Sequence, residues 1–270
     1  MLARFLTVLI AAPLVIALIG LMGPGTFFLL ALLVCLPALY EYYAMVLPDA
    51  TKKELYGGLA LGACVLAAGY VDTASNTPGL LATGMCLAAL IIIFTAYLCR
   101  GQKHTVPFER ISRLFFGIVY VALLSTFLLL LRGTPHGVRL VFFLLFVTWA
   151  GDIGAYLVGR SLGSHRLCPQ VSPAKTIEGS FGGILFSIVI ALTCQATFLN
   201  TISIGHCLIM ALGINVLNQI GDLSESAIKR ACNVKDSGKI LPGHGGILDR
   251  IDSLLFAAPF LYYYIRLINC

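Results

Sequence analysis

Nine long apolar runs, joined by polar connections, constrain the fold of this chain more than any other feature of its sequence. A helix needs about 20 mostly apolar residues to cross the hydrocarbon core of a bilayer. The third run is the weakest because it is rich in Gly and Ala. The runs lie at roughly 5–22, 26–46, 55–72, 78–98, 112–131, 138–158, 179–199, 202–221 and 251–267. Only 11% of the residues are charged, against about 25% in soluble domains, so the sequence predicts an all-α, polytopic integral membrane protein.

The distribution of basic residues sets the expected orientation of these helices. Cytoplasmic loops of membrane proteins are enriched in Lys and Arg. If the N-terminus is cytoplasmic, all Lys and Arg residues except Arg132, Arg139 and Arg266 lie on that side. We therefore predict about nine transmembrane helices with a cytoplasmic N-terminus. The net charge of +6 is then mostly a topology signal, and no nucleic-acid partner is expected.

Residues with evident chemistry are concentrated in the second half of the chain. Residues 1–140 hold the first predicted helices and scattered charges, which favours a role as scaffold and lipid contact. Residues 141–270 hold two polar loops, 159–178 and 222–250, and form the predicted catalytic region. Glu41 lies among three tyrosines at the inner end of the second run, so we expect it to be interfacial and not catalytic.

Three carboxylates lie where an apolar run meets a cytoplasmic loop, namely Asp152, Asp222 and Asp252. An acid at a membrane boundary is costly and marks a functional site by default. An acid that simply reaches water at a helix end is a realistic alternative for Asp152 alone. Three acids that face the same compartment favour the functional interpretation.

The end of the eighth run has two interpretations. If its helix continues, Asp222, Ser226 and Lys229 share one face. They are then either ordinary i,i+4 pairs at an amphipathic helix end or a metal-binding aspartate near a phosphate-binding lysine. The sequence leaves both open. The following residues add cations and an acid: Arg230, Lys235 and Asp236.

A glycine-rich bend at 242–246 precedes the ninth run. Its glycines allow backbone N–H groups to approach an anion closely, so Gly245 and Gly246 are candidate phosphate contacts. His244 is flanked by glycines rather than packed on an apolar face, and we expect it to be accessible to phosphate.

Asp249 and Asp252 are three residues apart and share a helix face. Two carboxylates held this close repel unless a cation bridges them or one is protonated, and carboxylate oxygens suit Mg²⁺. Arg250 between them is a candidate partner for phosphate charge. The alternative is a salt-bridged helix start whose acids favour the helix dipole.

Ser172 and Lys175, at the entrance to the seventh run, offer a hydroxyl and an ammonium group to a phosphate monoester. The same residues are good helix-start signals. On this segment alone the purely structural interpretation is favoured.

The pattern S-x-I-K-R-x4-K-D-x-G-x2-L-P-x-H-G-G-I-x-D-R-I-D over residues 226–252 resembles the defining motif of the phosphatidate cytidylyltransferases, or CDP-diacylglycerol synthases. Upstream positions between Asp152 and Gly179 also resemble that family, so the resemblance covers about residues 148–253. Ala174 departs from it, because many relatives carry Lys or Gly there.

The resemblance implies a membrane enzyme that transfers a cytidylyl group from CTP to phosphatidic acid and releases pyrophosphate in phospholipid biosynthesis. It implies a magnesium centre built by Asp222, Asp249 and Asp252, which relatives complete with a monovalent cation such as K⁺. We expect a bacterial cytoplasmic (inner) membrane location with the site on the cytoplasmic face, and a homodimer by family analogy only.

The expected catalytic residues are Asp222, Lys229, Asp249 and Asp252. The expected substrate-binding residues are Ser172, Lys175, Ser226, Arg230, Lys235, Asp236, His244, Gly245, Gly246 and Arg250.

Three alternatives remain at this point. A CTP-dependent lipid-alcohol kinase would transfer the γ-phosphate instead, and a CDP-archaeol-type synthase would use ether lipids. A cation or proton transporter would place its acids near mid-membrane in broken helices, whereas these acids cluster towards one face.

Overall fold

The computed structural model describes residues 17, 19–20, 23–75, 77–99, 108–240 and 245–268 of the chain. Its helices are α1 (Pro24–Val46), α2 (Lys52–Ser75), α3 (Leu80–Leu98), α4 (Phe108–Gly117), a π-helix (Ile118–Leu123), α5 (Leu124–Arg132), α6 (Gly137–Leu162), α7 (Ile177–Thr197), α8 (Ile204–Ala231) and α9 (Leu248–Leu267). Two short strands, β1 (Arg166–Cys168) and β2 (Ser172–Thr176), lie between α6 and α7.

Among the described residues, seven helical segments are long and apolar enough to cross a membrane, by length and composition. They are α1, α2, α3, the continuous segment Phe108–Arg132, α6, α7 and α8. These segments correspond to the second to eighth predicted runs, which confirms the prediction of an all-α polytopic membrane protein. The first run lies almost entirely outside the described residues. The ninth is helical as α9, but its charged residues keep it out of the group of seven.

The chain forms two compact units. The first comprises residues 1–133 and 236–248, and the second comprises residues 134–235 and 249–270. The polar loop 222–250 is therefore divided between the two units. The division of roles at residue 140, with scaffold before it and catalysis after it, stays a prediction.

Within the first unit, glycines of α2 allow it to pack closely on its neighbours. A Cβ at Gly58 would lie 2.7 Å from the ring of Tyr43, and a Cβ at Gly62 would lie 2.5 Å from the side chain of Leu39. Small residues at such positions let membrane helices approach each other. The Gly-rich composition that weakened the third run as a predicted span therefore has a packing role.

In the second unit, α6 and α7 pack in the same way. A Cβ at Gly154 would lie 2.6 Å from Phe186, and a Cβ at Gly182 would lie 2.5 Å from Val158. The contact is close because neither helix has a side chain at these positions. It brings the C-terminal end of α6 beside the N-terminal end of α7, where the polar residues of loop 159–178 lie.

The strands β1 and β2 form an antiparallel hairpin within that predicted loop, with Arg166 opposite Thr176. The hairpin leads directly into α7. Thr176 caps this helix, because its hydroxyl accepts a hydrogen bond from the Gly179 N–H at 3.1 Å. Glu178 in the first turn accepts from the His165 N–H at 3.1 Å. The hairpin is thus held at the start of α7, and Lys175 is placed on β2 rather than in an irregular loop.

Candidate active site

A cavity of about 570 Å³ lies within the second unit, where α6 ends, α7 begins and α8 passes beside them. Its polar wall combines three basic side chains with two acidic ones. These are Arg160, Arg166, Lys175, Asp152 and Asp222. Cations that gather around a few carboxylates in a concave site are suited to a phosphorylated ligand and a metal ion.

Lys175 and Asp222 are brought together in this wall. The Nζ atom of Lys175 lies 2.6 Å from Oδ2 of Asp222. The contact is an ion pair without the geometry of a directed hydrogen bond, since Nζ makes no hydrogen bond to any described residue. Both side chains remain partly exposed, at 26% and 39%. The Nζ atom itself is buried, so an anionic ligand would have to displace the Asp222 carboxylate to reach the ammonium group.

Asp152 also lines the cavity. Its Oδ1 atom accepts a hydrogen bond from Nδ2 of Asn218 at 2.8 Å. The carboxylates of Asp152 and Asp222 lie close enough to interact electrostatically. The sequence indicates that Asp152 is an acid at a membrane boundary, but Asp152 is not among the expected site residues. The structure places it beside one of them.

An amide network behind the cavity was missed by the sequence analysis. Gln219 donates from Nε2 to Oδ1 of Asn215 at 2.6 Å, and Asn215 donates from Nδ2 to Oγ of Ser187 at 2.8 Å. Ser180 donates to Oε1 of Gln219. Three amides at positions 215, 218 and 219 of an apolar run were the signal available in the sequence, because buried amides require partners.

Helix α8 continues to Ala231. Asp222, Ser226 and Lys229 therefore share one helix face, as the sequence predicts for a continuous helix. Lys229 is 9% exposed. Its Nζ atom lies 2.5 Å from Oε2 of Glu225 and 2.7 Å from Oδ1 of Asp249. Lys229 therefore neutralises two acids of the site. Glu225, which was not among the expected site residues, is 1% exposed.

Ser226 donates to Oδ1 of Asp222 across 3.4 Å, one turn apart on α8. The Lys229–Glu225 contact has the same i,i+4 spacing. The structural interpretation of this helix end, ordinary i,i+4 pairs, is thus present in the molecule. These i,i+4 pairs occur together with the cluster of acids, so both interpretations of the helix end describe contacts that are present.

Asp252 is buried, at 6% exposure, where α8 and α9 meet. A Cβ at Gly221 would lie only 2.7 Å from the backbone oxygen of Asp252, so the two helices touch at this glycine. The carboxylate of Asp252 interacts electrostatically with those of Asp222 and Asp152. Three helices of the second unit thus bring three acids into one neighbourhood.

The predicted metal ligands do not form a ready-made metal centre. No group of three or more His, Cys, Asp and Glu side chains has a metal-binding arrangement in the part of the chain that the structure describes. Asp249 binds Lys229, and Asp222 binds Lys175. The donor types nevertheless fit a hard divalent cation, because clustered carboxylates repel one another and Mg²⁺ prefers oxygen ligands.

Arg230 has a structural contact, because it donates to the backbone oxygens of Val171 at 3.3 Å and Val234 at 3.0 Å. Ser172 begins β2 but does not line the cavity. Lys235 and Arg250 are exposed in the second unit.

Other expected substrate contacts belong to the first unit, namely Asp236, Gly245 and Gly246. Gly245 has the left-handed φ of 82° that favours glycine. His244 lies outside the described residues, so its expected accessibility to phosphate stays a prediction.

Glu41 is buried within the first unit, and its expected position at the membrane interface stays a prediction. It is 2% exposed, and its carboxylate accepts hydrogen bonds from residues 237 and 248 of the same unit. The sequence contained no local signal for this, since the contacts join positions about 200 residues apart.

Comparison with known proteins identifies the family to which the chain belongs. A model of the cytidylyltransferase family matches residues 2–268. The phosphatidate cytidylyltransferase of Bacillus subtilis strain 168 is 42% identical over 168 residues, which are 62% of this chain and 62% of that protein. The phosphatidate cytidylyltransferase of Staphylococcus epidermidis is 40% identical over 175 residues, 65% of this chain and 66% of that protein.

The chain therefore aligns with somewhat less than two thirds of the full length of each of these two relatives. A longer alignment joins it to the phosphatidate cytidylyltransferase of Staphylococcus haemolyticus, with 34% identity over 259 residues and 96% of each protein. Together with the family match over nearly the whole sequence, these similarities show that the chain belongs to the cytidylyltransferase family.

Proposed function

We propose that this protein is a phosphatidate cytidylyltransferase that converts CTP and phosphatidic acid into CDP-diacylglycerol and pyrophosphate. The observation that carries the proposal is the cavity where α6 ends, α7 begins and α8 passes beside them, and where Arg160, Arg166 and Lys175 face Asp152 and Asp222. The charged side chains of this cavity suit a phosphorylated lipid and a nucleoside triphosphate. The family match and the names of the relatives support the same reaction.

The surroundings of the cavity suit a lipid substrate. Helix α6 exposes large apolar side chains beside it, including Ile153, Leu157 and Leu162 at 56%, 49% and 68% exposure. Such a surface is compatible with hydrocarbon. Phosphatidic acid could therefore keep its acyl chains in the bilayer while its phosphate enters the polar cavity.

In the proposed reaction, an oxygen of the lipid phosphate attacks the α-phosphorus of CTP. The new P–O bond forms while the bond between the α-phosphorus and the bridging oxygen breaks, and pyrophosphate leaves. Lys175 would hold the lipid phosphate, with Arg160 and Arg166 reducing the repulsion between the two anionic substrates. No general base is required, because a phosphate monoester is largely ionised near neutral pH, with a second pKa of about 6.

Asp222, Asp249 and Asp252 remain the proposed holders of Mg²⁺, with Asp152 as a neighbouring acid, and a monovalent cation such as K⁺ is proposed on family grounds. When bound, Mg²⁺ would neutralise triphosphate charge and make the α-phosphorus more electrophilic. Lys229, which lies between Glu225 and Asp249, is the proposed cation beside the metal and the phosphates. Arg230, Lys235 and the 244–246 segment are the proposed contacts for the β- and γ-phosphates.

The location in a bacterial inner membrane, the cytoplasmic orientation of the site and a homodimeric state are also proposals. Single cysteines introduced at Lys235 and Arg250, which are exposed, would test the orientation in a background without native cysteines. A membrane-impermeant thiol reagent should label them only after the cytoplasmic side is opened. Labelling from the opposite side of intact cells would overturn the orientation.

The reaction is tested with purified protein, phosphatidic acid, Mg²⁺ and CTP labelled at either the α- or the γ-phosphorus. Label from the α-position should appear in CDP-lipid, and label from the γ-position should appear in pyrophosphate. In a parallel reaction with diacylglycerol as the lipid alcohol, transfer of γ-label to lipid would instead indicate a lipid kinase. Comparison of diacyl with diether phosphatidic acid would distinguish a CDP-archaeol-type synthase.

A further inference from the structure

Glu41 is a buried carboxylate of the first unit that the proposed reaction does not use. It lies near the C-terminal end of α1 and is 2% exposed. Burial of a carboxylate is costly unless hydrogen bonds compensate for lost water. The position of those hydrogen bonds therefore shows what the side chain holds in place.

Among the described residues, two hydrogen bonds to this carboxylate come from one later segment of the chain. Oε2 of Glu41 accepts from Oγ of Ser237 at 3.1 Å and from the backbone N–H of Leu248 at 3.0 Å. Ser237 and Leu248 are themselves buried. The carboxylate thus joins residue 237 to residue 248. We call the described residues on either side of this contact, 237–240 and 245–248, the glycine loop.

Two glycines of the glycine loop lie directly against the same carboxylate. A Cβ at Gly238 would overlap Oε1 of Glu41, and a Cβ at Gly246 would overlap Oε2. The absence of side chains at both positions therefore permits the loop ends to close around Glu41. Gly246 consequently has a packing role in addition to the anion contact that we expected from the sequence.

These contacts determine the separation of the loop ends. A flexible loop loses conformational freedom when its ends are held together, and backbone groups aligned before a ligand arrives bind it at a lower entropic cost. The residues between the tied ends include Lys239 and Gly245, and Gly245 has a positive φ of 82°. Gly245 and Gly246 of the glycine loop are among the contacts that we propose for the phosphates of CTP.

We propose that Glu41 is a positioning residue that holds the two ends of the glycine loop together by hydrogen bonds and so preorganises the loop for the nucleoside triphosphate. This inference rests on the proposed function, because it assumes that the loop binds CTP. Glu41 acts through Ser237 and Leu248 and does not itself contact substrate.

The test combines hydrogen exchange with kinetics on the full-length protein. The variants are Glu41→Gln and Ser237→Ala. Glu109→Gln is a matched control, since Glu109 is 78% exposed in the same unit and pairs with Arg113. Amide exchange of peptides that cover 237–248 is measured without nucleotide. Steady-state kinetics are measured separately with varied CTP and varied phosphatidic acid.

We expect Glu41→Gln to accelerate exchange at the Leu248 amide by roughly tenfold, because the charged acceptor of its hydrogen bond is replaced by a weaker, neutral one. Exchange in α2 should not change, and the control should behave as the unaltered protein. KM for CTP should rise by about tenfold, with kcat and KM for phosphatidic acid within about twofold of their original values. Ser237→Ala should produce a smaller change in the same direction.

Unchanged exchange of the glycine loop in both variants would overturn the positioning role. If Glu41→Gln raises exchange throughout the unit, the test depends on Ser237→Ala. Faster exchange confined to the glycine loop in that variant would support the positioning role, and unchanged exchange there would overturn it. Faster loop exchange with an unaltered KM for CTP would overturn preorganisation for CTP. Absence of CDP-lipid from the unaltered protein would refute the proposed function, whereas the exchange result would still report on the tie.

Discussion

Lys175 on β2 and Asp222 on α8 form an ion pair across the cavity wall, with 2.6 Å between Nζ and Oδ2. The pair joins a residue proposed to bind lipid phosphate to a residue proposed to bind metal. In the absence of ligands, each charge compensates the other. Binding of substrate and metal would replace this contact by two others, so the pair links occupancy of the two proposed subsites.

Lys175→Ala should weaken the use of phosphatidic acid more than the use of CTP. Loss of one charge-assisted contact corresponds to an increase of about tenfold or more in KM for the lipid. Steady-state kinetics with each substrate varied in mixed micelles measure the difference. Lys53→Ala, at an exposed position of α2, is the control. A change restricted to CTP would reassign Lys175 to the nucleotide.

Asp249→Asn should reduce kcat on the order of 100-fold or more, because it removes a carboxylate from the proposed metal centre. Membrane insertion and the unfolding temperature should be largely preserved, since the amide can still accept a hydrogen bond from Lys229. Activity across a Mg²⁺ titration, after removal of metal by a chelator, is the measurement. Asp49→Asn, in an exposed loop, serves as control. Full activity of Asp249→Asn would remove the residue from the metal centre.

Asn218→Leu should destabilise the second unit by about 1–3 kcal/mol, because Asp152 loses a hydrogen-bond donor near other acids. The thermal unfolding midpoint in detergent should fall, and activity should fall with it. The Oδ1 atom of Asn218 has no hydrogen-bond partner among the described residues, so the donor Nδ2 carries the effect. An unfolding midpoint equal to that of the original protein would show that the Asn218–Asp152 contact is not stabilising.

Gly221→Ala should separate α8 from α9, since the added Cβ would lie 2.7 Å from the backbone oxygen of Asp252 and 3.1 Å from Cα of Ser253. Overpacking of this kind costs about 1–3 kcal/mol, and here it should also displace Asp252 and lower kcat. Gly57→Ala is a closely matched control, because a Cβ there meets nothing within 4 Å. The two variants are compared by thermal unfolding and by synthesis of CDP-lipid. Equal behaviour would contradict the close contact at Gly221.

The apolar runs alone predicted the seven long helices that the structure describes, because about 20 consecutive apolar residues are a local property that a membrane helix requires. The sequence places Asp222, Ser226 and Lys229 on one helix face only if the eighth helix continues beyond its apolar run. Helix α8 does continue, to Ala231. The motif at 226–252 likewise predicted the family, which the match over residues 2–268 confirms.

The partners of individual side chains required the tertiary structure. No local pattern indicated that loop 159–178 contains a hairpin whose Lys175 reaches Asp222, that Asp152 binds Asn218, or that Glu41 is buried beneath residues 237 and 248. These contacts join segments separated by tens to hundreds of residues. Helix formation is determined by nearby residues and their solvent, whereas the choice of polar partners depends on which distant surfaces the packing of helices brings within hydrogen-bond distance.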